Sequence, residues 1–178
     1  MIRRQSGSAL LLLMVLLASA LASIGMAALQ RASAGDARRT HDLRTLAVAV
    51  DALRTAAFAQ RCINTAMPLN DLLPCPDAAG TEGIAAVSCP GRAVGWLPWR
   101  TLGTAAIKDS SGTCLWYERQ GTTARVIGAG SAVAGQDRTT TAVRPVCGGN
   151  LLAANYVDAG DVSLAVTLDT ATMVARCP

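Results

Sequence analysis

At 178 residues the chain has room for one ordinary domain and an additional segment, which excludes a two-domain enzyme. Its residues are 51% hydrophobic but only 3% aromatic, so the apolar content is mostly Ala, Leu and Val, and a core of small side chains gains little from burial at about 25 cal/mol per Å². The net charge of +4 rests on arginines scattered along the chain, Lys108 being the sole lysine; no basic stripe is interleaved with aromatics, and no nucleic-acid partner is expected.

From Met1 to Gln30 the only charges are Arg3 and Arg4. As a helix, the run Ala9 to Leu29 extends roughly 30 Å at 1.5 Å per residue, enough to cross a bilayer core. The arginine pair favours a cytoplasmic N-terminus, which puts the remainder of the chain outside; Arg31, Arg38 and Arg39 oppose this weakly, since long domains after a span translocate largely regardless of charge. Two processing events compete. A signal peptidase could cut after the small-residue pattern Ala20-Leu21-Ala22 and release a soluble periplasmic or secreted binding module, or a cut between Gly7 and Ser8 could leave the whole apolar helix on the mature chain.

The order of basic residues, Gly7, the small Ser8 and an unbroken apolar helix resembles the cleavage region of type IV prepilins and pseudopilins. That resemblance implies a leader over residues 1–7, cleavage after Gly7 by a prepilin peptidase on the cytoplasmic face, methylation of Ser8, and a transmembrane helix over 8–30. One position departs from the pattern. Leu12 stands where such pilins carry a glutamate at the fifth mature position, a carboxylate thought to pair with a neighbour's amino terminus and so offset its cost in an apolar bundle. The departure points away from a bulk filament subunit and toward a minor or tip one.

Past the span, Leu43, Leu46, Val50, Leu53 and Ala57 follow spacings of three and four residues, an apolar helical stripe with Asp42, Arg44, Asp51 and Arg54 largely off it. The anchor is therefore expected to continue as an amphipathic helix over 31–61. Gly25 and Gly35 are its weak points, and two separate helices are the alternative. His41, the only histidine, is read as exposed on this helix, with no nucleophile to serve.

Residues 62–178 turn to Pro, Gly, Asn and Asp, and form the expected extracytoplasmic domain. The six cysteines, Cys62, Cys75, Cys89, Cys114, Cys147 and Cys177, all lie beyond the apolar segment. Their even number behind an export-type N-terminus reads as disulfides rather than a zinc site, since close ligand pairs are missing. About fifteen connectivities are open. Pro74 and Pro76 hold Cys75 in an extended loop, and Cys89 is its nearest candidate; that bridge would close a loop worth about 3 kcal/mol in the chain-entropy model. The order Leu73-Pro74-Cys75-Pro76-Asp77, Gly95-Trp96-Leu97-Pro98-Trp99-Arg100-Thr101-Leu102-Gly103, Asp109 to Gly112, and Leu115-Trp116-Tyr117 resembles a group of pilin-like proteins. Gly135-Gln136-Asp137-Arg138 fits the same group.

Trp96, Trp99 and Trp116 are expected to supply core bulk rather than a stacking platform. Strand-like runs are Cys114 to Glu118, Arg125 to Ile127, Val162 to Leu168 and Thr172 to Arg176, the third alternating cleanly and pairing with the fourth as a hairpin. Val126 to Val133 imitates a dinucleotide fingerprint but lacks the context of one. Asp71, Asp77 and Glu82 could in principle supply paired catalytic carboxylates or equally bind calcium, but without a recognisable cage they are read as solubilising turn residues.

The expected fold is α+β: a long N-terminal transmembrane helix continuing into a disulfide-stapled pilin-like domain with a small antiparallel sheet. The expected function is structural, that of a minor pilin or pseudopilin of a type IV pilus or type II secretion filament. No catalysis, cofactor or metal is expected. Its partners would be other pilin or pseudopilin subunits through the N-terminal helix, its store the bacterial inner membrane with the C-terminal domain periplasmic, and its final site an extracellular filament.

Overall fold

A computed structural model of the chain describes residues 6–77, 81–89, 91–128, 130–132, 138–149 and 161–169. The chain divides into two compact units, Met1–Arg38 and Arg39–Pro178. One helix, α1 (Ser6–Ile63), contributes to both. It passes through Gly25 and Gly35 without interruption, so the two-helix alternative does not hold.

In the first unit the large apolar side chains of Leu11 to Leu17, Leu21, Ile24, Met26 and Leu29 are 60% to 73% exposed. Hydroxyls in this stretch are satisfied locally, with Ser19, Ser23 and Ser33 donating to the carbonyls of Leu16, Ser19 and Gln30, the pattern that lets serine sit in an apolar helix. By length and composition the helix can cross a membrane.

In the second unit, strands β1 (Arg92–Trp96), β2 (Trp116–Gln120), β3 (Thr123–Gly128) and β4 (Val162–Thr167) form an antiparallel sheet in chain order. β2 and β3 are joined by a two-residue turn in which Gly121 takes φ +57°, a conformation that costs a Cβ-bearing residue more. Tyr117, Val126 and Leu164 lie opposite one another across three strands, and with Val166 and Leu168 they pack on Leu46, Ala49, Val50, Leu53 and Ala57 of α1. On the opposite face Trp96, Trp116 and Ile127 are likewise in register and form a second cluster with Cys114 and Cys147, against which Trp99 packs.

Three details differ from the sequence reading. Leu43 is 40% exposed, and Ala49 takes the place on the buried stripe, because the sheet meets the helix only from Leu46 onward. β1 was not foreseen, since Arg92-Ala93-Val94-Gly95-Trp96 has no polar alternation to mark it. Cys114 lies outside β2, pairing as an isolated bridge with Lys108, and the strand runs instead from Trp116 to Gln120. β4 does alternate, with Val166 and Leu168 buried and Ser163, Ala165 and Thr167 exposed. Its expected partner, Thr172 to Arg176, lies outside the described residues.

This packing predicts a contrast along one helix. Leu53→Ala, at a fully buried position, should cost about 2–5 kcal/mol, read as a lower urea midpoint with an unchanged slope. Leu43→Ala should stay within about 0.5 kcal/mol of the parent.

Candidate functional site

The loops around the tryptophan cluster carry the densest chemistry in the second unit, and it begins with carboxylates. Asp77 and Glu82, read from sequence as solubilising turn residues, are 0% and 2% exposed. Their burial is possible because each is fully occupied. Asp77 Oδ2 accepts the Gly83 N–H at 2.6 Å and an Arg144 Nη2 bond at 2.8 Å. Glu82 accepts the consecutive N–H groups of Val146, Cys147 and Gly148, the shortest at 2.5 Å from Cys147. Burial pushes the Asp77 carboxyl above its usual range despite the Gly83 bond and the Arg144 charge.

These contacts anchor residues 138–149, where no helix or strand is described. Trp96 Nε1 adds a bond to the Gly148 carbonyl at 2.9 Å, and the Cys114–Cys147 disulfide a covalent tie with S–S 2.04 Å. Gly148 takes φ +61°, and a Cβ there would meet the Thr139 carbonyl oxygen at 2.6 Å. Only glycine fits this place.

Asp109 organises a second corner. Its Oδ1 accepts the N–H groups of Ser111 and Thr113 at 2.9 and 3.0 Å, and its Oδ2 the N–H of Gly130 at 2.9 Å. The glycine-rich segment that imitates a nucleotide fingerprint is thereby tied into the protein, with the Gly130 carbonyl accepting from Ser111 Oγ at 2.7 Å and from Arg138. Ser110 joins the corner to α1 through its N–H and hydroxyl, both donating to the Asp42 carboxylate. His41, beside it, has a side chain 61% exposed.

The motif Gly95 to Gly103 acts as a clamp. The N–H groups of Arg100 and Thr101 donate to the Gly83 carbonyl at 2.8 and 3.2 Å, while Thr101 Oγ1 accepts the Ala85 N–H at 2.8 Å. Trp96 and Trp116 are buried, 4.4 Å between ring centroids, and Arg100 lies over the Trp99 ring. Two of the three tryptophans are therefore core, and the third is partly covered.

Arg119, not singled out from the sequence, is 8% exposed. Its guanidinium donates to the Asn70 carbonyl and toward both sulfurs of the Cys75–Cys89 disulfide, whose S–S distance is 1.98 Å. Cys62 is disulfide-bonded as well; Cys177 lies outside the described residues. Asp71 is 3.7 Å from Arg119 with a side chain 63% exposed, so Asp71, Asp77 and Glu82 have separate partners. Among the described residues no group of three or more metal-ligating side chains gathers.

Glu118 sits between Arg125, at 2.7 Å, and Arg92. Burial alone would raise its carboxyl, but the hydrogen bonds and charges of Arg125 and Arg92 outweigh it and hold the group below its usual range. A depressed value stabilises the fold above the unfolded pKa of 4.5, and that contribution is lost as pH falls through the folded value. Glu118→Gln should therefore be less stable than the parent at neutral pH, and the gap should close on acidification in urea melts.

Of the processing residues, Gly7 and Ser8 fall within α1, and Gly135, Gln136 and Asp137 lie outside the described residues. No family model matches the chain, and comparisons with curated proteins and with solved structures find no match either.

Proposed function

We propose that the chain is a minor pilin or pseudopilin, a structural subunit of a type IV pilus or type II secretion filament. The architecture is pilin-like: a long N-terminal helix with a four-stranded antiparallel sheet packed on it. The observation that carries the reading is the apolar surface of α1 from Leu11 to Leu29, exposed along its length. A surface of that kind needs lipid or other apolar helices around it. Together with the disulfides, it supports a membrane-anchored or secreted protein.

On this reading the helix is stored in the inner membrane with the domain in the periplasm, a prepilin peptidase removes residues 1–7, and the freed helix packs among those of neighbouring subunits. Leu12 brings no carboxylate to that bundle, which suits a subunit present in few copies at a filament end. The carboxylates and tryptophans already described serve the fold rather than a reaction.

Filaments sheared from cells and purified should contain the chain far below the level of the main subunit. Gly7→Val should leave residues 1–7 attached, keep the chain in the inner membrane and remove it from the filament fraction. Recovery of the parent chain solely as a soluble periplasmic protein would contradict the reading and favour release after Ala22.

A further inference from the structure

The Cys75–Cys89 bridge lines an open groove of about 640 Å³ between the Ala56 and Gln60 turn of α1 and the loop 85–89. Cys75 is 8% exposed and Cys89 half-buried, so a reagent in the groove meets Cys89 first. Arg119 reaches in from β2, with Nη1 2.8 Å from Cys89 Sγ and 3.4 Å from Cys75 Sγ. Its other contacts are the neutral Asn70 carbonyl and the exposed Asp71 carboxylate at 3.7 Å, and its Nε has no hydrogen-bond partner among the described residues. Arg119 and Asp71 are the charged residues lining the groove.

Disulfide sulfur is a weak acceptor and a poor match for a buried guanidinium, whereas a thiolate at the same place is a strong one. The bridge therefore faces a cation that favours its reduced form. The Cys114–Cys147 bridge is packed in the tryptophan cluster, its cysteines 3% and 5% exposed.

We propose that Cys75–Cys89 is a thiol–disulfide exchange site open to a small thiol. The incoming thiolate bonds to Cys89 Sγ, the S–S bond breaks, and its electron pair leaves on Cys75 Sγ beside Arg119, giving a mixed disulfide at Cys89. A second molecule of the thiol attacks the reagent's own sulfur and expels Cys89 as a thiolate next to the guanidinium. Two small thiols become one disulfide, the protein gains two electrons, and the two thiol protons pass to solvent except where a cysteine sulfur takes one up. With the bridge open, the 85–89 loop keeps the Ala86 N–H bond to the Pro76 carbonyl at 3.1 Å and the Ala85 N–H bond to Thr101 Oγ1 at 2.8 Å.

The test equilibrates the full chain in detergent with reduced and oxidised glutathione, then quenches, alkylates and assigns each cysteine by peptide mass spectrometry. Cys75–Cys89 should open at less reducing ratios than Cys114–Cys147, with the transient glutathione adduct on Cys89. Arg119→Gln should lower the equilibrium constant for that opening about tenfold, as expected for each unit by which a thiol pKa rises, and Arg119→Lys should restore most of it. In the reduced parent chain, alkylation of Cys89 should be half-maximal below the ordinary thiol value of about 8.5. Equal opening of the two bridges, an equilibrium unchanged in Arg119→Gln, or an ordinary or raised Cys89 titration would overturn the proposal. Should Arg119→Gln fail to fold, the titration in the parent chain decides.

Discussion

Replacing Arg144 with alanine is expected to lower the unfolding free energy by about 3–5 kcal/mol, because it leaves a buried carboxylate without its cation. Asp77 has no exposed surface and its charge is matched by Arg144 at 2.8 Å. Asp77→Asn should cost less, since the amide oxygen can still accept the Gly83 N–H while the charge is gone. The double substitution should be more stable than the sum of the two single effects implies, the signature of a coupled pair. The effect should also depend on pH. The folded-state value of Asp77 is raised above 3.8, so its favourable contribution is complete below the unfolded value and is lost as pH rises through the folded one. Removing Arg144 raises that value further. The deficit of Arg144→Ala should therefore be largest near neutrality and shrink as pH falls toward the folded value of Asp77. Urea midpoints taken as pH falls check it.

Trp96→Ala should be of similar size, about 3–5 kcal/mol. The side chain is fully buried, stacks on Trp116 and donates to the Gly148 carbonyl. Trp96→Phe separates the two roles. It keeps much of the apolar volume but leaves the Gly148 carbonyl without its indole donor, which should cost about 1–3 kcal/mol. Glu82 already binds the N–H groups of residues 146–148. The larger change should therefore loosen 138–149 as a unit, seen as faster amide exchange at Cys147 and Gly148 but not at Val126 in β3.

How much of the fold the sequence discloses depends on the range of the interactions concerned. The buried helix face was legible because Leu46, Val50, Leu53 and Ala57 repeat at the helical period, and β4 because Val162 to Leu168 alternates. Both are local patterns. The proline-held loop at Cys75 likewise restricts reach locally, and Cys89 is its bonded partner. Asp77 and Glu82 were misread because their fate depends on partners more than sixty residues away, Arg144 for one and the N–H groups of 146–148 for the other. A carboxylate among glycines and prolines looks like a turn residue until the chain returns to cover it. Arg119 was invisible for the same reason, lying 30 residues from Cys89 and 44 from Cys75. β1 gave no periodic signal because Gly95 occupies a place where a Cβ would meet the Asp77 carbonyl oxygen at 2.7 Å. That close approach selects the residue for space rather than for strand propensity.

The helix on which the functional reading rests can be tested by weighing the mature protein. Intact-mass and N-terminal peptide measurements on the chain from membranes of its native host should show a start at Ser8 carrying one methyl group, with every residue from Ala9 to Leu29 retained. A chain beginning at Ser23 would contradict the filament-subunit reading, because the exposed apolar surface that supports it would have been removed before the protein reached its place of action.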